Sequence, residues 1–200
     1  MERLVGLRGL RIAVPISMLL GAWLWASGAD RISTTGSEAR GGIAPPLSLP
    51  DDRGGNFDLA AHRGGVTLVY FGYTSCPDVC PTTLSELAAV WPYLGEDRDR
   101  ISEVFVTLDP ARDTAAALGD YLANFEPKPL GLTGTPAAIA TAAHDWGITW
   151  RMAEGGRFID HTSVVTVVGP DGRERLRYGF SQMGDPQAIA RDLRRILHDG

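Results

Sequence analysis

The sequence predicts an α/β domain, a mixed sheet flanked by helices, with an N-terminal β-hairpin and an N-terminal transmembrane helix. Three observations predict it. The runs Val66–Phe71, Val104–Leu108 and Val164–Val168 are continuously apolar, as in strands covered on both faces. Segments of helical period lie between them. Near the start, Ile12–Ala29 carries no charge; as a helix it would be about 27 Å long, close to the ~30 Å hydrocarbon core of a bilayer.

Taken in order, Arg3, Arg8 and Arg11 precede the uncharged stretch, and Trp23 and Trp25 sit near its far end. That pattern predicts a single-pass anchor in the cytoplasmic (inner) membrane, with everything downstream on the periplasmic or extracytoplasmic side. A cleaved signal peptide is the rival, because Ala26, Ser27, Gly28 and Ala29 are small. A buried core helix is the third reading. Residues 1–29 are therefore read as anchor or signal, 30–44 as a polar, glycine-rich flexible linker, and 45–200 as the folded domain.

Within the domain, Leu47–Leu49 and Asn56–Leu59 flank Asp51–Gly55 as an apparent hairpin. The strand Val66–Phe71 follows. Pro81 suits the first position of a helix with Leu84, Leu87, Ala88 and Trp91 on one face, ended by Pro92. A second strand, Ile101–Leu108, leads to Asp113 as N-cap of a helix bearing Leu118, Tyr121, Leu122 and Phe125. Thr135-Pro136 opens another helix and Gly147 closes it. Gly131–Gly134 reads as a turn. Val164–Val168 and Arg173–Tyr178 form an antiparallel pair across Gly169–Gly172, and Asp185-Pro186 caps a last helix with Ile189, Leu193 and Ile196. Parallel crossover units first and an antiparallel hairpin last is the order of a thioredoxin-like fold.

Composition narrows the function. The chain of 200 residues has 19 Lys+Arg against 24 Asp+Glu, a net charge of −5, with no basic tail or face that would suit nucleic acid. Its 24 glycines and 13 prolines stay below the ~25–30% of low-complexity chains. Two cysteines exclude a disulfide-dense scaffold and any four-cysteine metal site. No Ser-His-Asp arrangement, phosphate loop or dinucleotide fingerprint occurs.

Those cysteines, Cys76 and Cys80, stand where the first buried strand gives way to a helix. Loops beyond the carboxyl ends of strands carry function in such sheets. Cys80, next to Pro81, is placed at the helix N-terminus, where the dipole favours a thiolate. The pair could close a disulfide, hold a soft metal ion, or be merely structural; the C-x-x-x-C spacing is one residue longer than that of common disulfide exchangers. Of four histidines, His161 lies in a loop entering the third strand, near the cysteine turn in this type of fold, with a surface position as the competing reading. Asp160 beside it and Asp109, at a strand end on the same sheet edge, are candidate outer partners of the site. Arg112 could pair with Asp109 or Asp113.

Phe71-Gly72-Tyr73-Thr74-x-Cys76-Pro77-Asp78-Val79-Cys80-Pro81, Leu108-Asp109-Pro110-x-Arg112-Asp113-Thr114, Gly131–Thr135 and Asp160–Ser163 together resemble the motifs of the SCO/SenC family. These are thioredoxin-like copper proteins that help assemble cytochrome c oxidase. The resemblance spans about residues 45–198. It implies Cys76, Cys80 and His161 as copper ligands, and a metallochaperone rather than an enzyme, delivering copper to the dinuclear copper centre of an oxidase subunit. A thioredoxin-like reductant or another copper chaperone would be further partners. Two thiolates and an imidazole suit Cu(I), with zinc as the inorganic competitor. Closing Cys76 and Cys80 into a redox disulfide would remove both sulfurs. A thiol–disulfide oxidoreductase acting on the cysteines of the same centre, or a redox sensor, would need the dithiol and give His161 no role.

Overall fold

The computed structural model describes residues 34–39 and 41–199. Its ten strands are β1 (Ser37–Glu38), β2 (Ser48–Pro50), β3 (Asn56–Asp58), β4 (Val66–Gly72), β5 (Ile101–Thr107), β6 (Leu130–Leu132), β7 (Trp150–Ala153), β8 (Phe158–His161), β9 (Val164–Val168) and β10 (Glu174–Gly179). The α-helices are α1 (Val79–Ala88), α2 (Ala115–Leu122), α3 (Pro136–Asp145) and α4 (Pro186–Asp199). Six strands form one sheet in the order β1-β10-β9-β4-β5-β6. β4, β5 and β6 run parallel, while β9 is antiparallel to β4 and β10 to β9. The mixed, helix-flanked sheet expected from sequence is what forms.

Every residue of β4 is buried, which is why its sequence does not alternate. Its side chains serve two layers. Tyr70 meets Phe105, which meets Tyr121 of α2, whereas Phe71 meets Trp146 at the end of α3. Thr135 caps α3 by accepting from the Ala138 N–H at 3.2 Å, and Gly147 leaves it with φ +68°. β2 and β3 pair as the predicted hairpin, with Leu49 opposite Phe57.

Several expectations are corrected. Within the stretch read as a linker, Ser37 and Glu38 pair with Arg177 and Leu176, and the Thr35 N–H donates to Asp192 at 2.9 Å. Charged and small residues concealed a two-residue edge strand there. α1 begins two residues before Pro81, which occupies a first-turn position where its missing N–H costs nothing. It ends at Ala88, and Pro92 falls in a following 3-10 turn. The N-cap of α2 is Thr114, not Asp113. Gly131 and Leu132, read as part of a turn, belong with Leu130 to the outermost parallel strand, a short strand before α3. The β7–β8 hairpin was not expected at all, and it places His161 at a strand end rather than in a loop. The anchor or signal expected over 1–29 lies outside the described residues. Among the described residues, no helix is long and apolar enough to cross a membrane.

Candidate metal centre

The site begins where β4 stops. Gly72 is required there by close approach: a Cβ would lie 2.9 Å from Cys80 Sγ and 2.7 Å from the Phe105 ring. The chain then turns tightly, the Cys76 N–H donating to the Tyr73 carbonyl at 3.2 Å, and enters α1 at Val79. Cys80 lies in the first turn of α1 and is fully buried; Cys76 is half-buried in the turn before it, and both are free thiols.

The first N–H groups of a helix have no carbonyl partner within it. That of Cys80 points at Cys76 Sγ, 3.4 Å away. The helix N-terminus therefore serves Cys76, not Cys80 as its position in the sequence suggested. A hydrogen bond from the Cys80 thiol, with backbone N–H donation added, holds the Cys76 pKa down to about 5 against the opposing effect of burial. The same pairing, reinforced by burial, pushes Cys80 up. The two sulfurs thus divide into an accessible thiolate and an enclosed thiol.

His161 reaches this pair from the end of β8. Its Nε2 lies 3.7 Å from Cys80 Sγ. Its Nδ1–H donates to the Thr162 carbonyl at 3.0 Å, which leaves the Nε2 lone pair facing sulfur. Burial lowers its pKa and keeps the imidazole neutral, the form that ligates metal. Tyr73 braces the arrangement: its ring stands edge-on to His161 at 6.0 Å, and its hydroxyl accepts from the Ile159 N–H at 3.2 Å. Tyr70 contributes beneath, its hydroxyl 3.3 Å from Ser163 Oγ. An open cavity of about 340 Å³ is lined by Cys76, Tyr73, Phe158, Ile159 and His161, so a partner reaches Cys76 and His161 before Cys80.

The donor set fits a soft ion. Bonds of about 2.3 Å to sulfur and about 2.0 Å to nitrogen, at trigonal to tetrahedral angles, separate the two atoms by about 3.5–3.7 Å. Cys80 and His161 already stand at that spacing. Among the described residues, no three His, Cys, Asp or Glu side chains yet converge on one point; the Cys76 sulfur is turned to the Cys80 amide instead.

Among the described residues, neither candidate outer partner hydrogen-bonds to the three. Asp109 is buried against the Arg112 guanidinium. Asp160 is exposed and paired with Arg151 at 2.8 Å, so its charge reaches His161 only through space. The acid that does hold the cysteine turn is Asp113. It is wholly buried and accepts from the Thr74 N–H at 3.0 Å, the Thr74 hydroxyl at 2.6 Å and the Thr107 hydroxyl at 2.6 Å. Sequence reasoning missed this role, and that of Tyr73, because both act on residues distant in the chain. Of the other histidines, His62 stacks on Phe57, His144 is exposed beside Asp145, and His198 pairs with Asp97.

A strand that ends in a two-cysteine turn at a helix N-terminus, within a mixed sheet of this order, defines a thioredoxin-like dithiol protein. The hairpin-borne imidazole marks a subset of that class. The SCO1/SenC family matches residues 35–198, and the chain belongs to that family. An SCO2-like protein of Rickettsia conorii is 34% identical over 136 residues, which cover 66% of each chain. A mitochondrial SCO2 homolog of Mus musculus is 31% identical over 205 residues, 94% of this chain and 80% of the mouse protein. Among solved structures, Bradyrhizobium japonicum ScoI with copper bound superposes with a TM-score of 0.70 at 35% identity, over 77% of this chain and 99% of ScoI. The chain spans about two thirds of the length of the Rickettsia relative.

Proposed function

We propose that this protein binds one copper ion through Cys76, Cys80 and His161 and delivers it to the copper-centre-bearing subunit of cytochrome c oxidase during assembly. The observation that carries the reading is the 3.7 Å approach of His161 Nε2 to Cys80 Sγ, with the imidazole held neutral and its lone pair turned inward. A dithiol exchanger has no use for that nitrogen. Copper in the ScoI relative supports the choice of metal, and the family resemblance supports the partner. Cys76 turns from the Cys80 amide to complete the set. As the accessible ligand it is also the first that a partner's sulfur would replace, so the ion passes by ligand exchange without release.

A second reading has its own observation, the division of the pair into a thiolate at about 5 and a raised thiol. In it the Cys76 thiolate attacks a partner disulfide to form a mixed disulfide. Cys80 then displaces the reduced partner, so the partner gains two electrons, one proton from the Cys80 thiol and one from solvent, while Cys76 and Cys80 become a disulfide. His161→Ala separates the readings. Under copper delivery it weakens Cu(I) binding in competition with a chelator by at least about tenfold, or about 1.4 kcal/mol. Oxidase assembly then fails in cells at normal protein level, while the dithiol still oxidises. Unchanged copper affinity together with full complementation would move the function to thiol exchange.

A further inference from the structure

A second pocket lies at the opposite end of the sheet from the cysteines. β6 pairs only with Val104–Val106, so the outer edge of β5 over its first residues is left uncovered. A cavity of about 240 Å³ opens there between β5, the Pro127–Leu130 segment and Trp91. Glu103 lines it. The side chain belongs to a residue only 7% exposed, and its Oε1 is fully enclosed with no hydrogen-bond donor among the described residues. A buried carboxyl with no donor is costly and is rarely left so. No neighbouring charge offsets this: burial alone raises Glu103 to about 8. Of the two cations at the rim, Lys128 is paired with Asp52 at 2.7 Å, while Arg53 donates to the Lys128 carbonyl at 3.5 Å and keeps its charge. The remaining walls include the Trp91 indole and the stacked rings of Phe57 and His62, 4.6 Å apart.

We propose that this pocket binds a small primary alkylammonium ion, its N–H groups donating to Glu103 and its charge and alkyl chain lying against the aromatic walls. On binding, Glu103 releases its proton to the buffer, so that its carboxylate supplies counter-charge and acceptor, and ring faces attract cations. The volume admits a ligand of a few heavy atoms. The site is separate from the metal centre, and its occupation does not depend on copper.

Calorimetric titration of the purified full-length chain tests it, with n-butylammonium chloride, tetramethylammonium chloride and sodium butanoate as probes. The expected result is saturable binding of n-butylammonium at about millimolar Kd. Tetramethylammonium, which has no N–H, should bind at least about tenfold more weakly, and butanoate should not bind. Glu103→Gln, nearly isosteric, should weaken n-butylammonium by at least about tenfold and leave Cu(I) affinity unchanged. Absence of saturable binding, equal binding of tetramethylammonium or butanoate, or an unaltered affinity in the variant would overturn the proposal. The comparison of the three probes on the natural chain decides the matter even if the variant folds poorly.

Discussion

Two thiols four positions apart in the chain carry opposite burdens, and this has measurable consequences residue by residue. Cys76 has its pKa lowered on folding, to about 5. Its thiolate therefore favours the folded state most fully above the unfolded thiol value of about 8.5, and that contribution fades as pH falls towards about 5. Alkylation of the reduced protein by iodoacetamide should titrate with a midpoint near the lower value at Cys76, while Cys80 stays unreactive at neutral pH; mass mapping of the labelled cysteine at each pH checks both. Asp113 makes a second prediction. Its carboxyl takes three hydrogen bonds with no exposure to solvent. Asp113→Ala should cost roughly 3–5 kcal/mol in urea unfolding, because two threonine hydroxyls and an amide lose their acceptor together. The motif that contains Asp113 was visible in the sequence, but a helix start so near favoured an N-cap. Only the fold shows that its carboxyl turns back to Thr74, 39 positions away.

Between elements, the informative junction is that of the cysteine turn with the β7–β8 hairpin. The Tyr73 hydroxyl is the acceptor that ties them, 3.2 Å from the Ile159 N–H. Tyr73→Phe removes one hydrogen bond and should cost about 1 kcal/mol in stability. It should weaken Cu(I) more than that loss implies, because His161 lies two residues along the loosened strand; chelator competition beside thermal melting tests the inequality. Strands with a plain physical signature were legible beforehand: β4 and β9 are apolar but for one threonine each, β5 is apolar over Val104–Val106, and the turn before β10 is spelled Gly-Pro-Asp-Gly. β7 was not, since Trp150, Arg151 and Met152 are all exposed and no core claims them. The ligand candidates were legible as residue types at chain positions. Their division of labour was not, because it depends on which amide meets which sulfur.

At the scale of the whole molecule, the uncharged run with arginines before it and tryptophans near its end is the pattern from which we propose the placement of the chain. We expect residues 1–29 to stay in the membrane, with the copper-binding domain outside the cytoplasm. Full-length protein should resist carbonate extraction from membranes and keep its N-terminal residues. Release into the wash, or a mature N-terminus near Asp30, would mean a cleaved leader instead.

One further consequence follows from the distance along the chain between Cys80 and His161, 81 positions. A polypeptide exported as we propose emerges from its N-terminal side, so its dithiol would reach the outer compartment well before its imidazole. The β5, β6 and β7 segments lie between them and must leave the translocation pore first. During that interval the nascent chain presents sulfur with no nitrogen ligand, open to oxidants and to stray thiophilic ions. A copper site built as we propose would then be a late product of biogenesis, and timing as well as affinity would govern which metal first occupies it.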